Sequence, residues 1–375
     1  MSGIYIHIPF CRRKCLYCAF YSVALLSKKS VFLDALYGEI EQTLAYLPSR
    51  HIDTLYLGGG TPTLLSISEL EGVVTKIRRH YVLSSDAECT IEANPEQLDK
   101  SYLKDLLSLG FNRISIGVQS FNDQTLSFLG RKHSSKEALA AVQSAADAGF
   151  DNISIDLIYG VSQRHQGVWE ADVRTALSLP VSHLSCYALT NEENSLLWRK
   201  IRQHQLPEVD DDLANREFHV LLRLAREAGF EQYEISNFAR NGLVSRHNSA
   251  YWSGEPYLGL GPSAHSFDGQ SRKWNVSDLM RYIDDVATGD FSGESESLSL
   301  NDRYNEYVML GLRTAKGIDM EEIRRRFGQT YRTMAERQLR QVTPAHYRRV
   351  GDTLALTDEG KFFADGIAAE LMAVE

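Results

Sequence analysis

The chain has 375 residues, 43% of them hydrophobic and 24% charged, the proportions of a soluble globular protein with one large α/β unit and room for a smaller appendage. Its formal net charge of −9 leaves no global basic field to draw it to nucleic acid or anionic lipid. No apolar run reaches the roughly 18–20 residues that a membrane span needs, so direct membrane insertion is not expected. The first residues alternate like a strand and carry no positive leader, which argues against a signal peptide and for a cytoplasmic protein with reduced thiols.

In chain order, short β-branched runs alternate with longer amphipathic ones. Strands are predicted over Ile4–Ile8, Thr54–Leu57, Cys89–Ala93, Arg113–Gly117, Ile153–Ile158 and Leu184–Ala188, with helices over Phe32–Tyr46, Ser68–Tyr81, Ser101–Ser108, Ser135–Ala148 and Gly167–Ser178. This rhythm predicts parallel strands joined by helical crossovers. An internal echo supports it: Leu109-Gly110-Phe111, Ala148-Gly149-Phe150 and Ala228-Gly229-Phe230 each precede a strand-like run. Glycine fits the left-handed position that ends a helix, and the phenylalanine can pack back on the last turn. The expected fold is therefore a partial (β/α)6 barrel over residues 1–235. Residues 236–297, rich in Gly, Ser, Asn and aromatics, read as an irregular connecting segment. A helical, winged-helix-like unit follows over 298–375, with Asp319 and Thr357 as helix caps and Val350–Thr353 as a hairpin turn. Residues 296–375 carry 12 basic and 13 acidic side chains, a balance that argues against a nucleic-acid footprint.

Three of the five cysteines, Cys11, Cys15 and Cys18, fall within eight residues directly after the first strand. Three thiolates do not complete a tetrahedral zinc site, and no second cysteine pair with knuckle spacing exists. Ferredoxin-type clusters take four cysteines, and neither Cys89 nor Cys186 has motif context. Three thiolates on a [4Fe–4S] cluster leave one iron open, able to chelate the amino and carboxylate groups of S-adenosylmethionine (SAM) and to pass an electron to its sulfonium. Zinc, or three incidental cysteines, is the plainer alternative. Cys89 and Cys186 lie inside predicted strands and read as inert buried thiols.

Tyr5-Ile6-His7-Ile8-Pro9-Phe10-Cys11, followed by Cys15 and Cys18, resembles the radical SAM enzymes. Within them it is similar, end to end, to the oxygen-independent coproporphyrinogen III oxidase group and to the HemW haem chaperones related to it. The resemblance implies a radical SAM partial barrel of TIM type. It also implies that Tyr5, Gly59, Gly60, Thr61, Glu92, Gln119, Arg131 and Asp156 contact SAM, since the local motifs Gly-Gly-Thr-Pro, Glu-Ala-Asn-Pro, Gly-Val-Gln-Ser-Phe and Asp-Leu-Ile-Tyr-Gly match. Most of these residues fall at the C-terminal ends of predicted strands, where barrels of this kind carry their sites. Each has a plainer alternative: a tight turn for the glycines, a surface carboxylate for Glu92, a solvated loop residue for Arg131.

Two departures separate the branches of the family. The oxidases carry a further cysteine two positions after the third, where this chain has Phe20, and only ten residues precede Cys11, without the extension that covers the oxidase site. In addition, His247-Asn248-Ser249-Ala250-Tyr251-Trp252 matches the His-Asn-x-x-Tyr-Trp motif of the HemW family. The resemblance thus implies a haem carrier in which His247 is an axial ligand and Asn248, Tyr251 and Trp252 line the porphyrin, with an ordinary packed histidine as the alternative. His265 is a second candidate and His7 a structural one. The expected partners are haem and acceptor haem proteins, among them membrane-associated respiratory proteins reached through protein contacts, and a homodimer is compatible with this. Two rival functions stay open: coproporphyrinogen III dehydrogenation in porphyrin biosynthesis, and radical chemistry on an unrelated substrate.

Overall fold

Ile4, Ile6 and Ile8 are fully buried on one face of the first strand, β1 (Gly3–Ile8), while Tyr5 and His7 alternate onto the other. The structure, a computed structural model, describes residues 1–162, 165–289 and 293–374. Along it run β2 (His51–Gly59), β3 (Val82–Ala93), β4 (Arg113–Gln119), β5 (Asn152–Tyr159) and β6 (His183–Ala188), each parallel to the strand before it. The crossovers are α1 (Lys29–Gln42), α2 (Ile67–His80), α3 (Lys100–Leu109), α4 (Asp123–Leu129), α5 (Ser135–Ala148) and α6 (Val168–Ser178). Parallel strands need such crossovers, and the predicted partial (β/α)6 barrel forms.

Buried parallel strands are usually apolar on both faces. Here Ile114, Ile116, Val118, Ile153, Ile155 and Leu157 join the apolar core, and between them stand Ser115, Gly117, Ser154 and Asp156. Inward-facing groups bond across strands: Ser115 Oγ donates to Asp156 (3.1 Å), Tyr56 OH to Glu92 (2.7 Å), and Ser154 Oγ meets His183 Nδ1 (2.7 Å). Polar groups are buried at low cost only when partnered, so this inner face belongs to a site rather than to a core.

Local sequence signals set the helix limits. Ser66 with Glu69 and Ser134 with Glu137 form reciprocal capping boxes at the starts of α2 and α5. Gly110 and Gly149 end α3 and α5 at φ of +95° and +113°, with Phe111 and Phe150 buried beside them. The third echo diverges. After α7 (Leu196–Arg202) and α8 (Asp211–Glu227), Gly229 takes a φ of +76° at the expected helix end, but Tyr233–Ser236 is not a strand. Two short strands flank it, β7 (Glu231–Gln232) and β8 (Asn237–Ala239), and β8 runs antiparallel to β6. The backbone between them bonds a later part of the chain instead: Ile235 N donates to Arg313 O (2.9 Å) and Ala315 N to Tyr233 O (3.0 Å).

The segment expected to be an irregular connection extends the sheet. After α9 (Arg246–Trp252), β9 (Tyr257–Leu260) pairs parallel to β1. Then β10 (His265–Phe267), β11 (Ser271–Trp274) and β12 (Glu294–Ser297) continue it antiparallel, giving the order β12-β11-β10-β9-β1-β2-β3-β4-β5-β6-β8-β7. Strands of three or four residues are too short to show alternation, which is why composition alone suggested a loop. The helix α10 (Leu279–Thr288) packs on α1, and the buried Glu39 carboxylate accepts from Gly261 N (2.8 Å), Asn275 Nδ2 (2.5 Å) and Tyr282 OH (2.7 Å).

From α11 (Leu300–Leu312) onward a second core forms around Tyr304, Val308, Ile323, Leu354 and Ile367. Asp319 caps the helix Met320–Phe327, Tyr347–Val350 and Thr353–Leu356 form the predicted hairpin, and Thr357 caps Asp358–Phe362. Among the described residues no helix is long and apolar enough to cross a membrane.

Candidate functional site

The C-terminal ends of the six parallel strands open into a cavity of about 1020 Å³. That is the top of the range for a small-molecule site, about 300–1,000 Å³. Its walls are the cysteine loop, the ends of β2 to β6, and Arg313, Lys361, Phe362 and Asp365 from the C-terminal unit.

The cysteine loop is tied down at its root and its middle. Cys11 N donates to Val23 O (3.0 Å) and Val23 N to Pro9 O (2.7 Å), closing its ends together. Leu16 N donates to Leu129 O (3.0 Å), and Leu16 O accepts from Leu197 N (2.8 Å). His7 Nε2 meets Tyr21 O (2.9 Å) and His7 Nδ1 meets Tyr5 OH (3.0 Å), so His7 holds the loop to β1. Burial drives its pKa down to about 4, which keeps it neutral in that role. All three cysteines are free, partly buried, and line the cavity. Burial pushes the Cys11 thiol up and the Cys18 thiol up to about 11. Among the described residues no three His, Cys, Asp or Glu side chains converge on the small volume of a single metal ion.

A hydrogen-bonded arc links this loop to the polar floor. Cys11 Sγ lies 3.6 Å from Thr61 Oγ1, which accepts from Asn94 Nδ2 (3.1 Å). Asn94 Oδ1 accepts from Arg131 Nη2 (2.5 Å), and Arg131 Nη1 points back to Cys15 Sγ (3.7 Å). Arg131 also donates to Gly117 O (2.6 Å), and its Nε is buried without a partner. It is a half-buried cation lining the cavity, not a solvated loop residue. Glu92 is likewise internal: Tyr56 OH (2.7 Å) and Gly59 N (3.0 Å) donate to it, and burial pushes its pKa up to about 7 with Asp156 adding to the push. Burial raises Asp156 to about 6. Gln119 is buried at the end of β4 with φ of +68°, a conformation that costs a non-glycine residue of the order of 1 kcal/mol or more and that concentrates at functional sites.

Two glycines are dictated by close approach. A Cβ on Gly60 would stand 2.6 Å from Phe10 O and 2.7 Å from Ile8 O, in the root of the cysteine loop. A Cβ on Gly117 would stand 3.0 Å from Gln119 Nε2 and 3.4 Å from Arg131 Nη2, so its absence lets both side chains lie against the backbone there. Gly117 and Asn94 were not predicted as site residues, though both lie in the matching local motifs. Arg113 was missed too. It is fully buried inside the barrel, and its charge works against the upward push on Glu92 and Asp156.

Of the residues expected at the cofactor, Gly59, Gly60, Thr61, Glu92, Gln119, Arg131 and Asp156 line one cavity with Cys11, Cys15 and Cys18. Tyr5 is placed elsewhere, its hydroxyl on His7 and its ring centroid 6.0 Å from that of Tyr56. The residues expected to meet haem also stand apart from the cavity. His247, Asn248, Tyr251 and Trp252 form α9, which is set against the N-terminal half of the barrel. His247 is buried, with Nδ1 2.7 Å from Thr54 Oγ1, Nε2 2.8 Å from Tyr251 OH, and its ring stacked on Tyr56 at 5.0 Å. Both nitrogens are engaged, and burial drives its pKa down to about 3. Here its ring is packed with both nitrogens hydrogen-bonded, the arrangement the sequence left open as the alternative to an axial ligand. His265 stacks on Trp274 at 5.7 Å on the outer sheet.

Comparison with known proteins agrees with this geometry. Residues 5–169 match the radical SAM superfamily and residues 298–363 the HemN C-terminal domain. A protein of Mycobacterium tuberculosis (strain CDC 1551 / Oshkosh) named heme chaperone HemW is 35% identical over 375 residues, 99% of this chain and 94% of its own. Another of that name from Bacillus subtilis (strain 168) is 35% identical over 333 residues, 88% of each chain. The solved structure of coproporphyrinogen III oxidase (HemN) from Escherichia coli, a radical SAM enzyme, superposes with a TM-score of 0.86 at 23% identity, covering 99% of this chain and 90% of that one, a likeness of fold. With similarity running from the cysteine loop to the last helices, this chain belongs to the HemW family of radical SAM proteins.

Proposed function

We propose that the chain binds haem and passes it to acceptor haem proteins, with a SAM-bound [4Fe–4S] cluster resident at the barrel mouth. The observation that carries this reading is the meeting, in one cavity, of three thiols from a single loop with seven of the eight expected SAM contacts, in a chain whose curated relatives are named heme chaperones. The donor set fits. Three thiols from one loop, lining one cavity, suit a polynuclear cluster with an open coordination position. Arg131, with a buried unpartnered Nε, suits a carboxylate, and Glu92 suits an ammonium or ribose hydroxyl. Gln119 and Asp156 suit ribose, while the Gly59–Thr61 turn brings backbone close. When bound, such a cluster supplies one electron to the sulfonium. The protein's task is to hold the ammonium, carboxylate and ribose of that ligand with these side chains and to keep water from it. The acceptors proposed are membrane-associated respiratory haem proteins in a cytoplasmic setting, met by protein contact because the net charge of −9 disfavours anionic lipid.

The carboxylates make SAM binding pH-dependent. Glu92, raised to about 7, and Asp156, raised to about 6, are protonated in the ligand-free protein below those values and must lose a proton, Glu92 to face the ammonium and Asp156 to accept from ribose with both oxygens. SAM affinity is therefore expected to fall as pH drops from 8 to 5.5, by up to about tenfold per unit where one proton is displaced. In Glu92→Gln the step near pH 7 is absent and affinity is low throughout. Isothermal titration of the anaerobically reconstituted protein reads this directly.

The functional reading is tested by ferric haem titration and by product analysis under reductant. One haem per chain is expected, without substrate-dependent 5′-deoxyadenosine when coproporphyrinogen III is supplied. Rapid 5′-deoxyadenosine release with loss of propionate carboxyls would replace this reading by the dehydrogenase one.

A further inference from the structure

Beside the cysteine loop and the seven cofactor contacts, the cavity is lined by residues of the C-terminal unit, among them a cation with no assigned role. Arg313 caps the C-terminal end of α11, and its carbonyl accepts from Ile235 N (2.9 Å), which pins it to the barrel edge. Its guanidinium faces the cavity with the Cζ atom 5.7 Å from the centre of the Trp252 ring. Nη1 donates to Asp365, whose side chain is 79% exposed, and Nε is buried without a partner. Lys361 on the same wall is already held by Gln232 Oε1 (2.6 Å) and Asp358 Oδ1 (3.0 Å). Arg313 thus presents an unused buried donor and a counter-ion that water already screens.

Flat apolar surface lies around the same space. Phe20 is 69% exposed, Tyr187 is 44% exposed, and both line the cavity with Phe362. Aromatic walls together with a planar guanidinium fork are the chemistry that recognises a planar apolar ring bearing carboxylates. We propose that Arg313 is a carboxylate-binding residue of the haem site, that this site is the barrel-mouth cavity, and that a haem propionate takes the place of Asp365 on the guanidinium. The proposal rests on the haem-carrier reading above. It also sets α9 at one remove from haem: His247 and Tyr251 lock the helix to the barrel, and Trp252 is the platform on which Arg313 lies. Arg313 reads the acid.

The test is equilibrium titration of the cluster-loaded protein with ferric haem and with its dimethyl ester, which lacks the free carboxylates. Wild type, Arg313→Met, Arg313→Lys and Asp365→Asn are compared after thermal unfolding confirms that each is folded. Loss of a charge-assisted pair weakens haem binding by roughly 10- to 100-fold in Arg313→Met. The ester binds wild type and Arg313→Met alike, Arg313→Lys recovers some of the loss, and Asp365→Asn binds haem severalfold tighter because the competitor is gone. Wild-type haem affinity in Arg313→Met, or equal losses for haem and ester, overturns the assignment of Arg313 while leaving the haem-carrier reading standing. Failure of wild type to bind haem at all removes that reading, and this proposal with it.

Discussion

Replacing His247 by alanine is expected to lower the unfolding free energy by about 3 kcal/mol or more, without changing the haem spectrum of the molecules that remain folded. The imidazole bridges Thr54 Oγ1 at 2.7 Å and Tyr251 OH at 2.8 Å, and it stacks on Tyr56 at 5.0 Å. Alanine leaves the buried Thr54 hydroxyl and the half-buried Tyr251 hydroxyl without their partner, at about 1–3 kcal/mol for a buried group and less for the other, and removes an aromatic contact worth about 0.5–1.5 kcal/mol. Water entering the polar gap recovers a fraction of this. The acid behaviour changes as well. Because His247 is held neutral, with its pKa near 3 against 6.5, the unfolded chain takes up a proton that the folded one refuses. Wild-type stability therefore falls as pH drops below 6.5 toward 3, and the variant loses that component of the slope. Urea unfolding at several pH values measures both effects. An unchanged midpoint, or a Soret band shifted as by loss of an axial ligand, contradicts the packing role.

The second large effect is on the cluster. Cys15→Ala is expected to remove the broad iron–sulfur absorption and to reduce reconstituted iron from about four per chain to background. SAM affinity falls with it by two orders of magnitude or more. Cys15 is the thiol that Arg131 approaches at 3.7 Å, so its loss removes a ligand and also breaks the arc through Asn94 and Thr61 to Cys11. Cys89→Ala and Cys186→Ala are the controls. Both thiols are buried outside the cavity, so these variants keep full iron and lose only about 1–2 kcal/mol of stability. Iron analysis and absorption after anaerobic reconstitution decide the point. A full cluster in Cys15→Ala would remove that thiol from the ligand set.

The barrel was legible because its signals are local. Ile114 and Ile116, then Ile153 and Ile155, alternate with polar residues, and Gly110 and Gly149 mark helix ends that the structure places in the left-handed region. The positions of Cys11, Gly60, Glu92 and Asp156 at strand ends followed from the same pattern. What stayed hidden depends on contacts between distant parts of the chain. The four-residue β9 finds its partner in β1, some 250 positions away, and Tyr233–Ile235 pairs with residues around Arg313 rather than closing the barrel. A histidine among aromatics reads the same whether its nitrogens are free or engaged. The outcome for His247 was decided by Thr54, nearly two hundred residues earlier. Arg313 entered the cavity for the same kind of reason, because a unit with its own core contributes residues to the cavity at the strand ends.

The central claim, that this chain is a haem carrier, is tested most directly by loading it stoichiometrically with haem, adding an excess of an apo-haem protein, and following the Soret band of the acceptor. Transfer is predicted at a rate that rises with acceptor concentration, as expected for hand-over in a complex of the two proteins. A rate independent of the acceptor, equal to the spontaneous release of haem into buffer, would contradict it.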